Sequence, residues 1–140
     1  MILLLPSMLT NRKMRKASKN KLSTLKRKAW KIFSEYIRLR DKGVCFTCGV
    51  QKDPKEMDAG HFKHNRLDFD EMNIHCQCTR CNRFLHGNLG EYAIRLMEKY
   101  GKSELDSLVF RSNQIKKYTY QDLEEIIQTY KEKIRSSIKL

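Results

Sequence analysis

Four cysteines in two pairs constrain the fold of this 140-residue chain more than any other feature of its sequence. Cys45 and Cys48 form the first CxxC pair, and Cys78 and Cys81 form the second. Two intervening residues let both thiolates of a pair turn toward one ion, and four thiolates complete the closed tetrahedral site of structural zinc. The spacing therefore predicts a structural Zn²⁺ site with no position left open for a substrate.

A fifth cysteine, Cys76, stands two residues before Cys78. An odd number of cysteines with these gaps fits metal ligation better than a disulfide framework. The chain is therefore expected in a reducing compartment, the cytoplasm. Cys76 shares strand parity with Cys78 and could compete as a ligand, but we expect a buried free thiol.

The length of the chain predicts one domain, and its 40% apolar content predicts a modest core that a bound metal would help to stabilise. The apolar start, Met1–Leu5, stops at Pro6. It is too short for a signal-peptide core or a membrane span, so we expect no membrane partner.

Helical periodicity flanks a centre rich in Cys, His, Asn and Gly, which predicts an α+β fold. Residues 1–22 are expected to be a flexible basic arm, and residues 23–140 a single domain. Within that domain we expect a helix at 23–40, a zinc-binding centre at 43–90 and C-terminal helices at 91–138. The centre is expected to contain strands Met57–Phe62 and Asn73–Cys78, followed by a short helix, Thr79–His86.

The net charge of +13 is concentrated near the N-terminus, where residues 11–42 hold 13 Lys and Arg against Glu35 and Asp41. Basic segments of this kind usually contact phosphate, so we expect DNA as the partner. Trp30, in the first helix, is expected to pack rather than to stack on bases. The basic residues expected to contact DNA are Arg12, Lys13, Arg15, Lys16, Lys26, Arg27 and Lys28.

Four polar residues lie between and just after the cysteine pairs: His61, Asn73, Asn82 and His86. His61 falls on the first expected strand and Asn73 at the start of the second. Asn82 and His86 are spaced i, i+4, which places both on one face of a helix. A strand–strand–helix unit with these groups facing inward is the arrangement of HNH, or His-metal finger, sites.

The runs that carry these residues resemble the phage lambda NinG/Rap recombination nucleases. They are DAGHF, LDFDEMNIHCQCTRCNRFLHGN, the upstream AWKIFSEYIRLRDKGVCFTCG and the downstream GEYAIRLMEKYG. The double knuckle followed by Asn82 also resembles phage recombination endonuclease VII. The resemblance implies a ββα-metal core and cleavage of branched DNA such as Holliday junctions and D-loops. It also implies that Asn82 binds a catalytic metal.

In this interpretation His61 is the general base, because a neutral imidazole can take a proton from water at neutral pH. Gly60 stands where many HNH strands carry a metal ligand, so we assign Asp58 as third ligand, with His75 as the other candidate. Asn82, His86 and Asp58 would then hold Mg²⁺ or Mn²⁺.

Supporting residues surround this set. Asn73 is expected to bond the backbone of the opposite strand and to fix the direction of His61. Lys63, His64 and Arg66 follow the base directly and are candidates to hold the flanking phosphates.

Three alternatives remain open on the sequence. One is a zinc-containing DNA-binding module without catalysis, and another is a phage DNA-packaging HNH nuclease. The third is a structural or protein-interaction module, which would leave the basic segment unexplained. A homodimer would suit cleavage of a symmetric junction, with the C-terminal helix as its interface.

Overall fold

Helices surround a small antiparallel sheet in the computed structural model, which describes residues 6–139. The expectation for Met1–Leu5 lies outside the described residues. No helix in residues 6–139 is both long and apolar enough to cross a membrane. In chain order the elements are α1 (Pro6–Arg40), a 3-10 turn (Pro54–Glu56), β1 (Asp58–His61), β2 (Ile74–Gln77), a π-helix (Arg80–Phe84), α2 (Leu89–Tyr100), α3 (Lys102–Ser112) and α4 (Tyr120–Ile138).

The first helix is longer than its apolar periodicity predicts. α1 begins at Pro6 rather than near Ser23, so the described part of the expected basic arm is helical. Residues 7–40 contain no Gly or Pro, and Lys, Arg, Leu, Met and Ala all favour helix. Residues 10–24 are nevertheless exposed, and within residues 10–40 the first buried side chain is Ala29. Helix propensity extends α1 beyond the part that packing requires.

The apolar faces of α1 and α4 pack against each other, as their periodicity predicts. Ala29 clusters with Leu123 and Ile127, and Phe33 meets the ring of Tyr130 edge-on at 4.7 Å. These pairs advance together along both helices, which therefore run in the same direction. A capping box formed by Thr119 and Asp122 begins α4.

The sheet consists of β1 and β2, each within one residue per end of its predicted span. Asp58 pairs with Gln77, and His61 pairs with Ile74. Since side chains alternate along a strand, the two faces of the sheet meet different neighbours. Ile74 and Ala59 pack with α1, and His75 contacts α2 through Tyr92.

α2 and α3 pack beside the second face of the sheet through a buried cluster of Tyr92, Leu96 and Leu108. The Tyr92 hydroxyl donates to the carbonyl of Gly60 at 2.8 Å, which fixes α2 against β1. α2 ends at Gly101, which has a φ of 85°, as the sequence predicts for a glycine terminator.

The short helix expected at Thr79–His86 is present but ends earlier, and it is a π-helix. Residues Arg80–Phe84 form a π-helix, closed by a hydrogen bond from the Leu85 amide to the Arg80 carbonyl at 2.9 Å. The Gly87 amide then bonds the Cys81 and Asn82 carbonyls, which ends the helix. His86 lies beyond that end with a φ of 51°, so the i, i+4 argument placing it beside Asn82 does not hold.

Candidate functional site

The four cysteines of the two CxxC pairs converge, as predicted. Their Sγ atoms all lie within 4.8 Å of one another, and those of Cys48 and Cys78 are 3.7 Å apart. Tetrahedral zinc with Zn–S bonds of about 2.3 Å requires sulfurs about 3.8 Å apart. The arrangement therefore fits Zn²⁺ held by Cys45, Cys48, Cys78 and Cys81.

Hydrogen bonds to sulfur support this cluster. The Cys81 amide and the Asn88 side chain lie 3.5 Å and 3.6 Å from the Cys78 and Cys81 sulfurs, respectively. Burial raises the pKa of Cys45, but hydrogen bonds from the Thr47 hydroxyl and from backbone amides outweigh it and lower this pKa to about 6. Such donors favour the thiolate form that binds metal.

Cys76 is buried and outside the cluster, as expected for a free thiol. Burial raises its pKa to about 12, which keeps the thiol protonated. Its backbone amide donates to the Asp41 carboxylate at 2.8 Å. Cys76 therefore contributes packing and a strand connection rather than a ligand.

His61, at the end of β1, packs between two rings. Trp30 of α1 stacks on it with ring centroids 4.8 Å apart and planes 19° apart, and the exposed His64 stacks at 5.6 Å. The Nε2 atom of His61 lies 3.4 Å from an oxygen of Asp68 but makes no hydrogen bond with the described residues. His61 is thus held in place by stacking and retains bonding capacity.

Asp68 links His61 to α1. Its carboxylate lies 2.9 Å from the Lys26 ammonium as well as 3.4 Å from His61. The His61 imidazole and then Lys26 hold the pKa of Asp68 at about 2, against the opposing effect of burial. These side chains border a cavity of about 190 Å³, which is lined by Lys26, Trp30, His61, Asp68 and Phe69.

Asn73 is fully buried and pins the segment that follows His61. Its side-chain oxygen accepts from the Lys63 amide at 2.8 Å, and its nitrogen donates to the carbonyls of Lys63 and Arg66 at 3.1 Å. The Asn73 carbonyl also accepts from the Phe62 amide. The Asn73 side chain therefore bonds the backbone of the segment that directly follows His61.

On the other face of β1, Asp58 meets the π-helix. Asn82 donates to Asp58 Oδ2 at 3.1 Å, and the Arg83 guanidinium bonds both carboxylate oxygens at 3.0 Å. Asp58 is largely buried, whereas Arg83 is mostly exposed. A carboxylate and an amide are thus adjacent, with an arginine as the present counter-charge.

The structure explains why glycine stands at position 60. A Cβ added there would lie 1.9 Å from the Gln77 side-chain oxygen and 3.1 Å from that of Asn82. Gln77 is buried and donates to Thr47 and to the Gly87 carbonyl. The space that a ligand at position 60 would need is therefore filled by an amide from β2.

The two remaining candidate ligands make no hydrogen bond or ion pair with Asp58 or Asn82 among the described residues. His86 is exposed and makes no hydrogen bond or ion pair within residues 6–139. His75 is buried, stacked on Phe46, with its ring nitrogens 3.1 Å and 3.0 Å from the hydroxyls of Tyr92 and Tyr100. Burial, followed by the charge of Arg40, lowers the pKa of His75 to about 3. His75 is a neutral core residue, with both nitrogens engaged.

The structure thus separates the predicted residues into two groups. His61 contacts Trp30 of α1 and lies beside Asp68, while Asp58 contacts Asn82 of the π-helix. Asp68 and Arg83 were not singled out from the sequence, because a charged residue in a loop or on a short helix shows no periodic signal.

The expected DNA-contacting residues also fall into groups. Lys26 is committed to Asp68, and Arg27 donates to Thr24 at 3.4 Å. Lys63 lies over the Phe62 ring with its ammonium 5.2 Å from the ring centroid. The other expected contacts are exposed: Arg12, Lys13, Arg15, Lys16, Lys28, His64 and Arg66.

These features define a small α+β protein with a four-cysteine cluster, which could bind zinc, beside a two-stranded sheet. The chain belongs to the NinG family: the family described as Bacteriophage Lambda NinG protein matches residues 8–139. It is 30% identical over 128 residues to the NinG protein of Escherichia phage 933W, and this match covers 88% of the chain and 63% of the relative. The NinG proteins of Escherichia phage lambda and Salmonella phage P22 match at the same identity, with 88% of the chain and 62% of each relative covered.

The chain thus spans about 63% of the length of the curated relatives it matches. No solved structure matches it significantly.

Proposed function

We propose that this chain is a metal-dependent DNA endonuclease of the HNH, or ββα-metal, type, with His61 as general base. The observation that carries the proposal is the surroundings of β1. The strand ends at a stacked histidine whose ring makes no hydrogen bond in the described chain. It also presents Asp58 to Asn82 of the following helix. The four-cysteine cluster adjoins this strand–strand–helix unit, because Cys78 directly follows β2 and Cys81 lies on the π-helix.

Hydrolysis of a phosphodiester requires a water made nucleophilic by loss of a proton. A neutral histidine performs this step near neutral pH when the ring is fixed in direction. Stacking between Trp30 and His64 restricts His61, and Asn73 ties down the backbone that follows it. His61 is therefore the group best placed to accept the proton.

A divalent cation would be held by Asp58 and Asn82. Carboxylate and amide oxygens are the donors that Mg²⁺ and Mn²⁺ prefer, and these two side chains already touch at 3.1 Å. When bound, such an ion would neutralise charge on the phosphate and assist the leaving oxygen. Arg83 now supplies the positive charge at Asp58 and must release the carboxylate. Within residues 6–139 His86 makes no hydrogen bond or ion pair with either residue, so the proposal rests on Asp58 and Asn82.

DNA would be bound mainly through charge. The net charge is +13, and the exposed part of α1 carries basic side chains but no acidic one before Glu35. Lys63, His64 and Arg66 lie just after His61, where flanking phosphates would pass. The preference for branched recombination intermediates, Holliday junctions or D-loops, is inferred from the resemblance to the NinG/Rap nucleases.

The test is a nicking assay with zinc-loaded protein on a four-way junction, a D-loop and linear duplex of the same sequence, in Mg²⁺ or Mn²⁺. His61→Ala should lower cleavage by about 10²- to 10⁴-fold, the usual contribution of a general base. Binding of the junction should remain unchanged. A control, Asp106→Asn, alters an exposed ion pair with Lys102 on α3 and should cleave normally.

Two outcomes would refute the proposal. Full cleavage by His61→Ala would remove His61 from the chemistry. Tight DNA binding without cleavage in either metal would favour the zinc-containing DNA-binding module instead.

A further inference from the structure

His61 has a polar partner in the structure, Asp68. The Asp68 carboxylate lies 3.4 Å from His61 Nε2, and no other acidic side chain of the described chain forms an ion pair with this ring. The Nδ1 atom has no hydrogen-bond partner among residues 6–139. The two nitrogens of His61 therefore have different surroundings, one facing an anion and the other unengaged.

Asp68 is itself fixed in position. Lys26 of α1 holds its carboxylate at 2.9 Å, and the neighbouring Phe69 packs edge-on against Phe33 at 5.6 Å. Trp30, also on α1, stacks on the His61 ring. One helix thus fixes both the plane of the imidazole and the anion at its edge, with the Asp68 carboxylate more than three-quarters buried.

We propose that Asp68 is the positioning residue of His61. Its carboxylate keeps the proton of the neutral ring on Nε2, so that Nδ1 carries the lone pair that takes a proton from water. A partner that accepts from one ring nitrogen decides which tautomer is populated. After proton transfer both nitrogens carry hydrogen, and the same carboxylate stabilises the imidazolium. This role rests on the proposed nuclease function, but the tautomer itself can be measured without it.

The experiment combines two measurements on the zinc-loaded protein. Nitrogen-15 NMR of the histidine side chains reports which ring nitrogen carries the proton, and His61→Gln identifies the His61 signals among the four histidines. Nuclease kinetics on a four-way junction in Mn²⁺ give kcat and KM separately.

Wild-type His61 should show the Nε2–H tautomer in its neutral form. Asp68→Asn should move the population toward Nδ1–H, because the amide can donate to Nε2. It should also lower kcat by about 10- to 100-fold, part of the usual contribution of a general base, with KM changed less than about twofold. Lys26→Gln keeps Asp68 but frees its carboxylate, and should shift both readouts in the same direction by less.

Asp106→Asn is the matched control, an aspartate paired with lysine at 2.7 Å on α3, and should change neither readout. Unchanged tautomer populations in both Asp68→Asn and Lys26→Gln would overturn the inference. If Asp68→Asn does not fold, Lys26→Gln decides the question. If the wild type cleaves no DNA, the nuclease proposal fails, and the tautomer shift by itself decides whether Asp68 orients His61.

Discussion

The centre of the chain, residues 43–90, and the α1–α4 helix pair are stabilised by different means. The buried cluster at the candidate zinc site consists of three of its four cysteines, Cys45, Cys78 and Cys81, together with Cys76 and Met57. The helix pair instead buries Ala29, Phe33, Ile37, Leu123, Ile127 and Tyr130. The helix pair resembles an ordinary hydrophobic core, whereas the centre relies on sulfur ligands and polar contacts.

Those polar contacts join the two regions. Arg40, at the end of α1, donates to the carbonyls of Glu71 and Ile74 at 2.9 Å and 3.0 Å. Asp41 pairs with Arg40 and accepts from the Cys76 amide. The comparison indicates that the helix pair has its own apolar core, while the centre has a cysteine cluster that could bind zinc and a set of hydrogen bonds. A site held in this way can position polar groups without a large apolar core.

The largest effect is expected from loss of zinc. Apparent binding free energies of structural zinc are about 10–16 kcal/mol, comparable with the whole stability of a small domain. Chelation, or Cys81→Ser, should therefore unfold residues 43–90 and leave much of the helical signal of α1 and α4. Metal analysis, circular dichroism and amide exchange together measure this. Cys76→Ser should bind zinc normally, and a protein that contains no zinc yet tolerates Cys81→Ser would contradict the assignment.

Phe33→Ala tests the other region, because it alters the helix pair and leaves the cysteines intact. Removing a fully buried phenylalanine should cost about 3–5 kcal/mol of unfolding free energy, through lost burial and the cavity left behind. Zinc content should stay at one ion per chain, because no cysteine is touched. Phe110→Ala on α3, where the ring is 67% exposed, is the matched control and should cost less than about 0.5 kcal/mol. Equal losses of unfolding free energy in Phe33→Ala and Phe110→Ala would mean that the helix pair is not the stable region.

Asn73→Ala tests the polar contacts of the centre. It removes the side-chain acceptor of the Lys63 amide and the donor to three carbonyls. An unpaired buried group costs about 1–3 kcal/mol, so a loss of about 2 kcal/mol is expected, with faster exchange of the Lys63 amide. Asn113→Ala, at an exposed position after α3, should have no measurable effect. An unchanged Lys63 exchange rate would show that the loop is held by other contacts.

A smaller effect on stability is expected at Arg83. Its side chain is 67% exposed, so Arg83→Gln should change the unfolding free energy by less than about 1 kcal/mol. Removing its charge from Asp58 should tighten Mn²⁺ binding by about tenfold, as measured by calorimetry. Asp58→Asn should abolish that binding. Arg80→Gln, an exposed arginine on the same helix, is the control. If Arg83→Gln and Arg80→Gln bind Mn²⁺ equally, Asp58 is not the ligand.

The smallest effect on either region is expected from deletion of residues 1–20. Among the residues of α1 whose burial the structure describes, 10–40, no buried side chain precedes Ala29, so stability should change by less than about 0.5 kcal/mol. The deletion removes five basic residues: Arg12, Lys13, Arg15, Lys16 and Lys19.

DNA affinity should fall for all sequences alike after this deletion. The slope of log affinity against log salt should become shallower by about 2–4 units, since each phosphate contact contributes about 0.9 for duplex DNA. Binding measured at several salt concentrations for both proteins tests this. An unchanged slope would place the DNA surface elsewhere.

Local patterns in the sequence were sufficient to predict the two strands and the C-terminal helices. The ends of β1 and β2, the capping box of Thr119 and Asp122, and the end of α2 at Gly101 follow from alternation, capping chemistry and glycine conformation. Local patterns did not predict the start of α1 or the type of the helix at Arg80–Phe84. The exposed start of α1 has helix propensity without apolar periodicity, and the π-helix needs one more residue per hydrogen bond than an i, i+4 pattern assumes.

The sequence by itself determined the sulfur ligands, because two residues between cysteines bring both sulfurs of each pair to one ion wherever the chain goes. It also determined the composition of the candidate site, with His61, Asn73 and Asn82 in strand–strand–helix order. Only the tertiary structure decided what each of these side chains meets. Asp68 and Trp30 reach His61, and Arg83 reaches Asp58, through contacts between separate elements. Such contacts depend on how α1 and the π-helix dock on the sheet. The local order of residues along the chain does not specify that docking.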